Sequence, residues 1–124
     1  FLSMNRKILL VEDHDSLRYL MGAFLSRNFE VVGARDGLDA MTWLGKGILP
    51  DAIVTDIGMP GLDGIEFITG LRCSGMYADI PVVVISGSGN DEEENRIRQL
   101  GARDYIRKPF SPVTLQERLA QIIG

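Results

Sequence analysis

Two rhythms of apolar residues alternate along the chain. Short continuous runs stand at Ile8-Leu9-Leu10-Val11, Ala52-Ile53-Val54-Thr55 and Val82-Val83-Val84-Ile85, with a weaker one at Val31-Val32 and a fifth candidate at Tyr105-Ile106. A strand with one wet face alternates apolar and polar residues, and these do not. They read as strands buried on both faces, so the pattern predicts a parallel sheet with helices on both sides.

The stretches between them carry the helical period. Leu17, Leu20, Met21, Phe24 and Leu25 form one apolar stripe, and Leu115, Leu119, Ile122 and Ile123 form another. Ser111-Pro112 offers an N-cap and a first-turn proline for the last helix. Asp63 and Glu66 have capping-box spacing ahead of Ile68 and Leu71. Gly37 to Leu44 predicts a shorter helix. Asp91 to Leu100 has only Ile97 and Leu100 as apolar residues, so this helix is expected to be the least buried. The order is β-α five times, which right-handed crossovers turn into a five-stranded parallel sheet. The expected fold is α/β, flavodoxin-like, with strand order 2-1-3-4-5 and five helices on both faces. Ligands belong outside the carboxyl ends of the strands.

At 124 residues the chain is expected to hold one domain over residues 6–124. Phe1-Leu2-Ser3 ahead of Met4 reads as a leader or scar occupying residues 1–5. Acidic residues outnumber basic ones 17 to 13, which leaves no basic footprint for direct nucleic-acid binding. The single cysteine, Cys73, rules out an internal disulfide and suits a cytoplasmic location. No apolar run approaches the ~20 residues of a membrane helix.

In the expected sheet every strand ends on one edge, so the residues just past the strands share a small region. These are Glu12 and Asp13 after the first strand, Asp56 at the third, Ser86 and Gly87 at the fourth, and Lys108 after the fifth. Three carboxylates together must take up protons or share a cation. Oxygen donors only, with no histidine or cysteine among them, favour Mg²⁺, which uses one or two carboxylates and accepts a phosphate oxygen in its shell. Lys108 and Ser86 then suit phosphate, one as a point charge and one as a donor. The set describes phosphoryl transfer onto a carboxylate.

The residues Leu10-Val11-Glu12-Asp13, Asp56 followed by Met59-Pro60-Gly61-Leu62-Asp63-Gly64, Ser86-Gly87 and Lys108-Pro109-Phe110 occur in order and at characteristic separations. In these the chain resembles the response-regulator receiver domains of two-component signalling over nearly its whole length. The resemblance implies that Asp56 is the phospho-acceptor. Asp13 would bind Mg²⁺ directly, Glu12 through water, and Gly58 through its backbone carbonyl. Ser86 would donate to the phosphoryl group and Lys108 would pair with it. Tyr105 would be the switch aromatic that turns inward as Ser86 moves, and Lys108-Pro109 a cis bond. The implied donor is a phosphohistidine on a sensor histidine kinase or histidine phosphotransfer protein. Output would pass through the fourth helix, fifth strand and fifth helix to a fused or separate partner, from a monomer or a phosphorylation-dependent dimer.

Each residue also has a plainer reading. Asp56 alone is a turn former, Lys108 a surface lysine, and Tyr105 a core aromatic. Asp91-Glu92-Glu93-Glu94 reads as a solvated helix start favoured by the helix dipole. Trp43 and Cys73 read as helix-face packing residues, and His14 as a solvent-edge histidine outside the chemistry. Two rival functions remain: a constitutive binding module of the same fold, and a phosphatase using an aspartyl-phosphate intermediate. Phosphatases resembling the haloacid dehalogenases place a general-acid Asp two residues past the nucleophile, where this chain has Gly58. The chain is therefore expected to assist its own phosphorylation and dephosphorylation without being a dedicated enzyme. Gly58 and Ser88, each two residues past a site residue, are both small, which points to an open site and a short-lived phosphate.

Overall fold

The computed structural model describes residues 6–58, 63–87 and 89–123. Its elements are β1 (Lys7–Val11), α1 (Asp15–Leu25), β2 (Glu30–Ala34), α2 (Gly37–Gly45), β3 (Ala52–Asp56), α3 (Gly64–Arg72), β4 (Val82–Ser86), α4 (Asp91–Gln99), β5 (Asp104–Arg107) and α5 (Pro112–Ile123). All strands are parallel, in the order β2-β1-β3-β4-β5. The proposed leader, residues 1–5, lies outside the described residues.

The continuous apolar runs have the predicted cause. Every residue of β3 and β4 is buried. Successive side chains point to opposite faces, so Leu9, Val11, Ile53, Val82 and Val84 meet α2, α3 and α4 on one side. Ile8, Leu10, Val54, Val83 and Ile85 meet α1 and α5 on the other. Phe67 is the largest side chain wholly excluded from solvent. The β2 strand pairs on one side only, so just Ala34 of its five residues is buried. That explains the weak signal at Val31-Val32.

Helix boundaries follow their caps. Asp63 accepts from the Glu66 N–H at 2.8 Å while Glu66 reaches back to the Asp63 N–H, a complete capping box. The Ser111 hydroxyl accepts from the Val113 N–H at 3.2 Å. Only Ile97 of α4 is buried, as its polar sequence implies. Two packing expectations are corrected. Leu20 leaves the α1 stripe and is 64% exposed; Met21 and Leu25 form its buried line and Leu17 and Phe24 pack at the margin. Cys73 is exposed at the C-cap of α3, beyond the helix face that packs. Trp43 packs against the core edge, with Lys46 over its ring.

Candidate functional site

Glu12 follows the last residue of β1 and extends the ladder, its N–H donating to Ala34 O at 3.0 Å. This holds it deep enough to be 1% exposed. Asp56 is the last residue of β3 and is 8% exposed. The start of α3 packs tightly against this strand end. The Gly64 N–H donates to Ile57 O at 3.1 Å, and a Cβ on Gly64 would sit 2.8 Å from the Asp56 carbonyl and from Ile57 Cα. Only glycine lets α3 begin directly against the strand that presents Asp56. The intervening Met59-Pro60-Gly61-Leu62 lies outside the described residues.

Carboxylate oxygens of Glu12, Asp13 and Asp56 lie within 4.8 Å of one another, together with a ring nitrogen of His14. Lys108 Nζ is 3.1 Å from Asp56 Oδ2 and 3.7 Å from Glu12 Oε1. The Gly58 N–H donates to Asp56 Oδ1 at 3.3 Å. Asp13 Oδ1 is buried without a hydrogen-bond partner among the described residues, although His14 Nδ1 lies 3.4 Å away. His14 itself is exposed, and both its N–H and its ring nitrogen face Glu12 Oε2, which corrects the expectation of an acidic cluster with no histidine beside it. The Lys108–Pro109 peptide is cis.

The electrostatics follow from burial and crowding. Burial pushes the Glu12 carboxyl above its usual range, and the Asp56 charge adds to this against the pull of His14 and Lys108. Burial opposes the charge on Lys108, but the hydrogen bond and charge of Asp56, joined by Glu12, outweigh it and raise its pKa. One ammonium thus serves two carboxylates of a cluster of three. A set of carboxylate oxygens with one buried acceptor unfilled and one carboxyl under charge strain fits a hard divalent cation.

Two expected participants direct their hydroxyls to an acid outside this cluster. Ser86 is wholly buried at the end of β4, and its hydroxyl donates to Glu93 Oε2 of α4 at 2.8 Å. Tyr105 lies inward, 5% exposed, and its hydroxyl donates to the same oxygen. Burial, reinforced by Glu93, pushes the Tyr105 phenol above its usual range. Glu93 therefore corrects the reading of 91–94 as simply a solvated helix start. Nothing in the sequence separates it from its acidic neighbours.

Comparison with known proteins gives the family and the fold. The family described as the response regulator receiver domain matches residues 8–120. The phosphate regulon transcriptional regulatory protein PhoB of Escherichia coli (strain K12) is 40% identical over 121 residues, covering 97% of this chain and 52% of that protein. The chain thus spans about half the length of the PhoB relatives it matches. A chemotaxis protein CheY homolog of Campylobacter jejuni is 30% identical over 120 residues, covering 95% of this chain and 92% of that one. Among solved structures, chemotaxis response regulator CheY4 of Vibrio cholerae aligns with a TM-score of 0.87 at 28% identity, covering 96% of this chain and 99% of that one. A putative response regulator from Chloroflexus aurantiacus aligns with a TM-score of 0.89 at 28% identity, over 97% and 98% of the two chains.

Proposed function

The chain belongs to the response regulator receiver family, and on that premise we propose that it is a Mg²⁺-dependent switch taking a phosphoryl group onto Asp56. The observation that carries this reading is the position of Asp56 at the end of β3, between the Lys108 ammonium at 3.1 Å and the carboxylates of Glu12 and Asp13. Receiver domains are signalling partners of histidine kinases and phosphotransfer proteins, and the donor proposed here is a phosphohistidine on one of these.

An Asp56 carboxylate oxygen forms the new P–O bond as the P–N bond of the phosphohistidine breaks, and the electron pair leaves on the imidazole nitrogen. A carboxylate nucleophile, unlike a hydroxyl, needs no general base to remove a proton from it. Lys108 meets the charge on the phosphoryl oxygens, and the Ser86 hydroxyl donates to one of them. Asp13, Asp56 and the Gly58 carbonyl would hold Mg²⁺ directly and Glu12 would hold it through water. When bound, the ion neutralises charge that would otherwise oppose the approach of a phosphoryl group. Tyr105 and Ser86 are the proposed switch residues, with output through α4, β5 and α5 to a fused or separate partner. The proposed setting is cytoplasmic, and no described helix is long and apolar enough to cross a membrane.

The small residue at Gly58 supports a switch over a turnover phosphatase, because no general-acid side chain stands two residues past Asp56. The same position supports a short-lived phosphate, since a Cβ there would meet nothing within 4 Å among the described residues. Its counterpart Ser88 lies outside the described residues. Acetyl phosphate with Mg²⁺ should add one phosphoryl group by intact mass, and Asp56→Asn should abolish the addition. An unmodified wild-type mass under conditions of demonstrated Mg²⁺ binding would count against the proposal.

A further inference from the structure

The proposed function asks the Ser86 hydroxyl to serve a phosphoryl group, yet its one proton is engaged elsewhere. Ser86 Oγ donates to Glu93 Oε2 at 2.8 Å, and the Tyr105 hydroxyl donates to the same oxygen. A serine hydroxyl has a single proton to give. The Glu93 bond and a bond to phosphoryl oxygen therefore exclude each other.

The carboxylate is held where it makes this competition effective. Asn90 caps α4 and accepts from the Glu93 N–H at 2.8 Å, fixing Glu93 in the first turn. The chain offers an internal comparison. Asp63 and Glu66 have the same spacing, and there the Glu side chain returns to the cap N–H. At Asn90 and Glu93 the carboxylate instead spans from α4 to the hydroxyl of Ser86 at the end of β4 and that of Tyr105 within β5. The loop before it is shaped to the arrangement, because a Cβ on Gly89 would collide with the Tyr105 hydroxyl. Tyr105 is thus packed inward against Glu93 while Ser86 faces the same acid.

Resting on the receiver reading, we propose that Glu93 is a positioning residue of the switch: it holds the Ser86 and Tyr105 hydroxyls on one carboxylate oxygen, and phosphoryl binding at Asp56 must withdraw Ser86 from it. The first turn of α4 then senses Asp56 through Ser86. Linkage is reciprocal, so whatever the Glu93 bond contributes to the resting arrangement weakens phosphoryl binding by the same factor.

Beryllofluoride with Mg²⁺, a phosphoryl mimic, provides the test. Its affinity is measured on wild type, Glu93→Ala, Ser86→Ala and the double variant, each checked for a cooperative melt. Glu93→Ala should bind the mimic at least about fivefold more tightly, and this gain should vanish in the Ser86→Ala background. Glu93→Gln, which keeps the shape and weakens the acceptor, should gain less, and it carries the test if the alanine variant does not fold. In protein labelled with 3-fluorotyrosine, the Tyr105 resonance, assigned by Tyr105→Phe, should shift in Glu93→Ala towards its mimic-bound position. A merely structural Glu93 gives equal or weaker binding, or the same change in both backgrounds, and either result overturns the proposal while leaving the receiver function intact. A wild type that binds Mg²⁺ but takes neither the mimic nor acetyl phosphate overturns both.

Discussion

Replacing Lys108 by methionine tests the electrostatic account of the site. The substitution keeps chain length and apolar stem but removes the charge that lies 3.1 Å from Asp56 and 3.7 Å from Glu12. At an effective dielectric constant of about 20 these attractions are roughly 5 and 4 kcal/mol. Desolvation of a side chain that is only a quarter exposed offsets much of this, leaving an expected net loss of ~2–4 kcal/mol at neutral pH. The loss should depend on pH in one direction. Glu12 already has a raised pKa, caused first by burial and then by Asp56, while Lys108 lowers it. Without Lys108 it rises further. A carboxyl raised in the folded state brings no penalty below its ordinary value near 4.5, and the penalty becomes complete above the folded value. Urea unfolding followed by circular dichroism should therefore show a smaller deficit near pH ~5 than near pH ~8, because only the Glu12 part of it titrates away. Mg²⁺ should stabilise the variant more than wild type, because the ammonium no longer competes for the same carboxylates. An equal deficit at both pH values, or a larger Mg²⁺ gain in wild type, would refute the reasoning.

Three further outcomes are expected. Gly64→Ala should lose ~1–3 kcal/mol in urea unfolding, since its Cβ meets backbone atoms of Asp56 and Ile57 at 2.8 Å, and should slow acetyl-phosphate labelling by moving Asp56. Asp104→Asn should cost ~1–3 kcal/mol at neutral pH: burial opposes the Asp104 charge, but Arg118 at 2.6 Å, the Tyr105 N–H and Arg98 outweigh it and lower its pKa. That stability is present above the ordinary value near 3.8 and is lost as pH falls through the lower folded value, so acid unfolding curves of variant and wild type should converge at low pH. Gly58→Gln should slow loss of the phosphoryl group in a mass-monitored decay, and an unchanged or faster decay would remove the open-site account of phosphate lifetime.

Much of the fold was legible because its signals are local. Unbroken apolar runs at 8–11, 52–55 and 82–85 mark doubly covered strands, and Asp63 with Glu66 marks a helix start whatever the helix later packs against. The convergence of Glu12, Asp13, Asp56 and Lys108 was legible for a topological reason, since parallel strands put every carboxyl end on one edge. Leu20 and Cys73 were misplaced because periodicity gives the apolar side of a helix but not where its neighbour ends.

Patterns along the chain carried the order of elements, the strand order they imply, and the identity of the charged groups at the strand ends. Only the tertiary structure decided how those groups are satisfied. It set Lys108 between two carboxylates, closed Gly64 against the end of β3, and turned the Ser86 hydroxyl to Glu93 beside that of Tyr105. The physical reason is range. Strand and helix patterns are fixed by backbone geometry over a few neighbouring residues. A hydroxyl's choice of acceptor depends on how closely α4 approaches β4 and β5, and packing of the whole domain sets that distance.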